Sequence, residues 1–145
     1  MKESWDLLAD RDALTLMTSK LYIFECNSDT YLGCIEKSVF ASNKPWPLEI
    51  RSGDYCLLHH YEIGGLLGLW RATTAGGRNL VPKLWAGRFP FQVKVQLVSA
   101  KIAEVPKTIL TAHGMDAKLG RFDGAMAQTT ADEIVRAMAG TNGKD

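Results

Sequence analysis

Residues 20–40 read KLYIFECNSDTYLGCIEKSVF, and the fold turns on how that stretch divides. Leu21 to Phe24 is a short apolar run of β type, and Asn27, Ser28 and Asp29 then offer side-chain oxygens to the free amides of a starting helix. A strand therefore feeds a helix. Leu32, Ile35 and Val39 fall at i, i+3 and i+7, so the helix is expected to run to about Phe40 on one apolar stripe, with Glu36 and Lys37 in water. Gly33 costs such a helix about 1 kcal/mol relative to alanine, which points to a close packing approach there.

Downstream, Pro45 and Pro47 flank Trp46 and forbid helix, so residues 41–53 form a loop with an indole at its tip. Residues 54–73 spell strand, Gly64-Gly65 turn and strand: Tyr55, Leu57, His59 and Tyr61 alternate before the glycines, and Leu67, Leu69 and Arg71 after them. Residues 74–87 are dense in turn formers yet hold Leu80, Val81, Leu84 and Trp85, so this connection is expected to pack on the body. The clearest strand follows: Phe89, Phe91, Val93, Val95 and Leu97 face one way, and Arg88, Pro90, Gln92, Lys94 and Gln96 the other. Pro106 allows one helical turn near Lys107 to Leu110, and Thr130-Ala-Asp-Glu133 has the spacing of a capping box opening a last helix through Ile134, Val135 and Met138.

The 145 residues suit one domain, and 46% hydrophobic with 23% charged residues is a globular composition. Residues 1–19 read as a lead-in, helical or irregular, 20–139 as the single domain and 140–145 as a flexible tail. Seventeen Lys and Arg against sixteen Asp and Glu remove strongly basic polyanion binders as a whole-chain description. No apolar run approaches the roughly 18 residues a membrane span needs, and Glu3, Asp6, Asp10 and Asp12 do not suit a signal peptide; no membrane partner and a cytoplasmic location are expected. Cys26, Cys34 and Cys56 cannot all pair and are read as reduced.

Catalytic and metal signatures are missing: there is no CxxC, HExxH, phosphate-loop or GxSxG pattern. His59 and His60, adjacent on a strand, point to opposite faces and cannot share a metal, so a structural role is expected. Cys56 and His60 share a face but stand roughly 13–14 Å apart by strand rise, too far for a thiolate pair. Asp116 and Asp123 are not expected to pair for acid/base work. The chain is read as no enzyme, with neither metal nor cofactor.

Charge is nevertheless segregated. Between Glu62 and Glu104 there is no Asp or Glu, while Arg71, Arg78, Lys83, Arg88, Lys94 and Lys101 all lie there. Cations converging without carboxylates suit phosphates. Phe40, Trp46, Trp70 and Trp85 lie in or beside connections around that segment; such rings plug cores or stack bases, at about 1–3 kcal/mol per base.

Three blocks carry a family resemblance. Ile23-Phe24-Glu25-Cys26-Asn27-Ser28-Asp29-Thr30 with Cys34 and Phe40, then Gly68-Leu69-Trp70-Arg71-Ala72 and Gly76-Gly77-Arg78-Asn79-Leu80 with Pro82 and Trp85, then Arg88-Phe89-Pro90-Phe91-Gln92-Val93-Lys94-Val95, resemble the Development and Cell Death (DCD) domain over roughly residues 20–98. DCD domains are similar to the YTH and EVE domains of the PUA-like group. The resemblance implies an α+β fold, a small mixed β-barrel with flanking helices, binding DNA or RNA that carries a modified base. It places pocket walls on Phe40 and Trp85, with Trp46 or Trp70 as a third ring, and the group that bonds the base edge on Asn27 or Thr30. Gly120-Arg121-Phe122-Asp123-Gly124 is similar to a late Arg-Asp-Gly segment of YTH proteins, which makes Arg121 a phosphate contact.

The expected function is a non-catalytic module that recognises a modified, methylated nucleobase in an aromatic pocket, with Arg71, Arg78, Lys83, Arg88 and Arg121 near phosphates. An effector such as a nuclease, fused to the module or working with it, is the further partner expected. The alternative is a protein- or peptide-interaction module using the same Trp-lined groove; an enzyme acting on a nucleotide lacks any nucleophile or metal set.

Overall fold

The computed structural model describes residues 20–105, 107–112, 114–116, 125–126 and 133–138. The lead-in, Arg121 with its Gly120–Gly124 segment, Thr130 and the tail lie outside the described residues.

Strand β1 (Leu21–Cys26) sends Leu21 and Ile23 to one side and Tyr22, Phe24 and Cys26 to the other, and all five are buried. That is why it reads as a continuous apolar run: it lies inside a sheet covered on both faces. Helix α1 (Tyr31–Lys37) and strand β2 (Val39–Ser42) follow, then a 3-10 turn at Trp46–Glu49 and strand β3 (Tyr55–His60), which is buried throughout. Strands β1 and β3 pair in parallel, Leu21 with Tyr55 through Cys26 with His60. Strand β4 (Gly65–Ala72) returns antiparallel after the expected Gly64 turn. Strands β5 (Gly77–Arg78) and β6 (Phe91–Ala103), helix α2 (Lys107–Ala112), strand β7 (Ala125–Met126) and a helical segment over 133–138 complete the described chain.

The strand order is β2-β6-β4-β3-β1-β7, with β5 joined to β6, and β2 comes close to β1, so the mixed sheet curls into a nearly closed barrel. Inside lie Tyr22, Phe24, Cys56, Leu58, Trp70, Val93 and Val95, joined by Cys34 of α1 and Phe40 of β2. The outer face carries Leu21, Ile23, Tyr55, Leu57, Leu66 and Leu69, covered by Leu110 of α2 and by Ile134, Val135 and Met138. The barrel bends at Gly68, whose φ of +89° and close approach to the Ser99 carbonyl make a bulge in β4. Over that bulge the Trp70 indole folds back to donate to the Leu67 carbonyl at 3.0 Å.

Three expectations are corrected. Helix α1 stops at Lys37, because Ser38 turns left-handed (φ 52°, ψ 49°) and donates its N–H to the Cys34 carbonyl; Val39 and Phe40 then extend as β2 against β6. Its inward stripe is Cys34 with Tyr31 and Ile35, while Leu32 is 62% exposed. On β6, which begins at Phe91, the positions exchange roles: Gln92 is buried and Leu97 is exposed, since a loop folds over the first and nothing described covers the second.

Candidate nucleic-acid interface

The connection from β5 to β6 is built around backbone that side chains seldom adopt. Asn79, Lys83, Trp85 and Ala86 all have φ between 49° and 68°, and Gly87 follows at 75°. Left-handed non-glycine residues cost on the order of 1–3 kcal/mol each and persist where the surroundings over-determine them, which is typical of ligand clamps. Here the surroundings are identifiable. The Asn79 N–H donates to the Pro90 carbonyl at 2.7 Å. Buried Gln92 accepts from the Val81 N–H at 2.7 Å and donates to the carbonyls of Phe89 at 3.1 Å and Val81 at 3.4 Å. The Arg88 Nε donates to the Trp85 carbonyl at 3.2 Å.

This frame presents one half-buried indole. Trp85 meets Phe89 edge-on, centroids 5.7 Å apart at 89°, and packs on the backbone of α1 at Gly33. The close approach expected from Gly33 is thus made by Trp85. The same connection carries three cations: Arg78 stands 4.6 Å from the centroid of Phe91, Arg88 stands 5.5 Å from that of Phe89, and Lys83 is exposed. Among the described residues no carboxylate pairs with any of the three. An aromatic ring inside an unneutralised cationic loop is equipped to stack a base beside its phosphates.

The other residues expected at the site lie elsewhere. Phe40 is fully buried between Phe24 (5.5 Å) and Trp70 (5.2 Å), and Trp70 is 6% exposed, so both are core rings and neither walls an open slot. Trp46 is half-buried but lies on Phe24 (4.6 Å) and stacks on Tyr22 (5.9 Å, 7°), sealing the barrel from the side. Asn27 and Thr30 serve each other. The Asn27 Oδ1 accepts from the N–H groups of Asp29 (2.9 Å) and Thr30 (3.0 Å) and from the Thr30 hydroxyl (3.1 Å); Asn27 Nδ2 donates to the Tyr61 hydroxyl at 3.0 Å. They start α1, as an Asx turn does, and the base-edge role finds no unspent polar atom on the Asn27 carbonyl side. Arg71 points to the outer face of the sheet, over the Tyr55 ring and on the side opposite to Trp70.

Sequence reasoning missed Gln92 and Phe89, which the strand pattern counted merely as out and in. The histidines have structural settings: His59 Nδ1 lies 2.6 Å from Glu25 Oε2, and the His60 ring stands 6.1 Å from Tyr31. Burial pushes the Cys26 thiol up to about 12 and raises Cys34 and Cys56 as well, so none is poised as a nucleophile. No group of metal-ligating side chains occurs among the described residues, and no described helix is long and apolar enough to cross a membrane.

Comparison with solved structures gives the fold. The YTH domain of Mmi1, solved in complex with RNA, superposes with a TM-score of 0.65 at 12% identity over 88% of this chain and 82% of that one. The YTH domain of Zygosaccharomyces rouxii MRB1, in complex with N6-methyladenosine RNA, does so with 0.60 at 13% identity over 83% and 87%. By sequence, the chain is 29% identical over 91 residues to the DCD domain-containing protein NRP-A of Glycine max and 31% identical over 93 residues to the B2 protein of Daucus carota. Each match covers 57% of this chain but only 25% and 44% of those proteins, so the chain spans less than half of either. Residues 20–110 match the Development and cell death domain, more than half of the chain, and the protein belongs to that family, in a YTH-like, PUA-like fold.

Proposed function

We propose that this domain is an RNA-binding module that acts by binding alone, stacking an extruded base on Trp85 while Arg78, Lys83 and Arg88 meet the adjoining phosphates. The observation that carries the reading is the strained loop over residues 79–88, tied down by Gln92, which holds a half-buried indole in a connection whose three cations have no carboxylate partner among the described residues. That YTH domains of the same fold have been solved with RNA, one of them with N6-methyladenosine RNA, supports RNA over DNA and a methylated base as the ligand.

Unstacking the base costs a few kcal/mol, and aromatic stacking at about 1–3 kcal/mol plus charge-assisted phosphate contacts offsets it. With Phe40 and Trp70 in the core, the methyl group gains only its own burial, about 0.8 kcal/mol, or about fourfold in affinity. Preference for the mark is therefore modest.

Titration of RNA oligonucleotides with and without N6-methyladenosine, and of matched DNA, across a salt series tests this. Expected are tighter binding of RNA, a log–log salt slope near −2 for three phosphate contacts at about −0.7 each, and at least tenfold loss in Trp85→Ala. Unchanged RNA binding by Trp85→Ala overturns the site. Salt-independent capture of an apolar peptide with no RNA binding overturns the function in favour of a peptide groove.

A further inference from the structure

Among the cations of the acid-free segment whose burial is described, Arg71 alone is half-buried. On β4 it alternates with Trp70, so it emerges on the outside of the barrel in a cross-strand row with Tyr55 of β3 and Gln96 of β6. Its guanidinium donates to the Tyr55 hydroxyl and lies 5.0 Å from the centroid of that ring. Its Nε is buried with no acceptor, and no carboxylate among the described residues pairs with it. A partly desolvated cation held by one neutral hydroxyl is left short of acceptors, and a planar fork of donors matches an oxyanion.

The register supplies a second cation. Arg71 faces Gln96, so Lys94 is its diagonal neighbour, about 7–8 Å away on the same face and within reach of long side chains. Lys94 is exposed. Two residues further back on that face stands Gln92, which ties down the Trp85 loop. The outer side of β6 thus leads from Gln92, which holds the Trp85 loop, past Lys94, to the row in which Arg71 faces Gln96, with no acidic residue anywhere in the segment.

We propose that Arg71 and Lys94 form a second phosphate site, on the outside of the barrel, which takes a backbone phosphate of the RNA strand bound at the Trp85 loop. The site rests on the RNA-binding reading above and extends it: the strand follows β6 from Trp85 to Arg71. Contact with Arg71 then requires a longer oligonucleotide than stacking on Trp85 does.

Fluorescence anisotropy with unmodified RNA of about four and about twelve nucleotides, over a salt series, separates the two. Arg71→Gln and Lys94→Gln are expected to weaken the longer RNA about tenfold and about fivefold, each making its salt slope shallower by about 0.7, and to leave the shorter RNA unchanged. Trp85→Ala weakens both lengths. If Arg71→Gln lowers the melting temperature, the exposed Lys94→Gln carries the test. Wild-type binding of the longer RNA with unchanged affinity and slope in Lys94→Gln and in folded Arg71→Gln overturns the second site and leaves the Trp85 reading standing. Absence of RNA binding by the wild type overturns the reading itself. Inorganic phosphate provides the remaining arm: stabilisation of the wild type by phosphate, lost in Arg71→Gln while RNA affinity is unaffected, makes this a free-phosphate site and overturns the strand path.

Discussion

The indole of Trp85 rests on the backbone of Gly33: a β-carbon added at Gly33 would stand 2.9 Å from Nε1 and 3.0 Å from Cζ2 of the ring. Helix and loop, about fifty residues apart in sequence, meet there without a side chain between them. Alanine at Gly33 improves intrinsic helix propensity by about 1 kcal/mol, yet it evicts the ring. Gly33→Ala is therefore expected to keep or raise the melting temperature while lowering RNA affinity at least fivefold and shifting Trp fluorescence towards that of an exposed indole. A variant that binds RNA as the wild type does would separate Trp85 from the site.

Gln92 holds the same loop from the opposite side. Gln92→Leu keeps approximate volume but leaves the Val81 N–H and the Phe89 carbonyl without their partner, at about 1–3 kcal/mol. Chemical denaturation should show that loss, and limited proteolysis should open the chain between residues 79 and 90 first.

Gly76 is a harder constraint. A β-carbon there would lie 1.7 Å from the Pro47 carbonyl oxygen, which is backbone and cannot swing aside. Gly76→Ala must push the 3-10 turn carrying Trp46 off Tyr22 and Phe24, and a destabilisation of at least 2–3 kcal/mol, about the cost of loosening a large core side chain, is expected in urea.

The thiols set the alkaline limit. Burial lifts Cys26 to about 12 from an ordinary 9.0, lifts Cys34 and Cys56 too, and lifts the Tyr22 hydroxyl to about 12 from 10.0. A group raised in the folded state contributes stability that is complete below its unfolded value and drains away as pH climbs towards the folded one. Stability should thus fall from about pH 9 upwards, less steeply in Cys34→Ala. Ellman's reagent at pH 8 should find the three thiols unreactive until denaturant is added.

How much of this could be read beforehand depended on whether a residue's partners were local. Strand β1, the Gly64 hairpin and the core of β6 announced themselves because alternation or two-sided burial leaves its mark in the composition of the strand itself. Gly33 did so through its cost to a helix. Phe40 misled because Val39 continues the i, i+3, i+7 series, and nothing in a serine declares a left-handed turn. Gln92 misled for the converse reason: an amide reads as outward-facing unless one knows that a loop thirteen to three residues earlier returns to cover it. Phe40, Trp46 and Trp70 were grouped with Trp85 because the chemistry of a ring is the same in a core and in a binding site, and only the barrel's curvature separates them. Arg71 was legible as a cation but not as one on the outside of the barrel, which follows from parity with Trp70 along β4.

The parallel pairing of β1 with β3 carries one more consequence. Strands side by side in the same direction oblige the chain between them to travel back across the sheet, and that return journey consists of α1, with its glycine seat, and β2, which seals the far margin onto β6. The glycine that seats Trp85 and the strand that closes the barrel thus belong to one crossover. A nucleotide captured by the loop should slow hydrogen exchange at the β1–β3 amides, which no atom of it need touch.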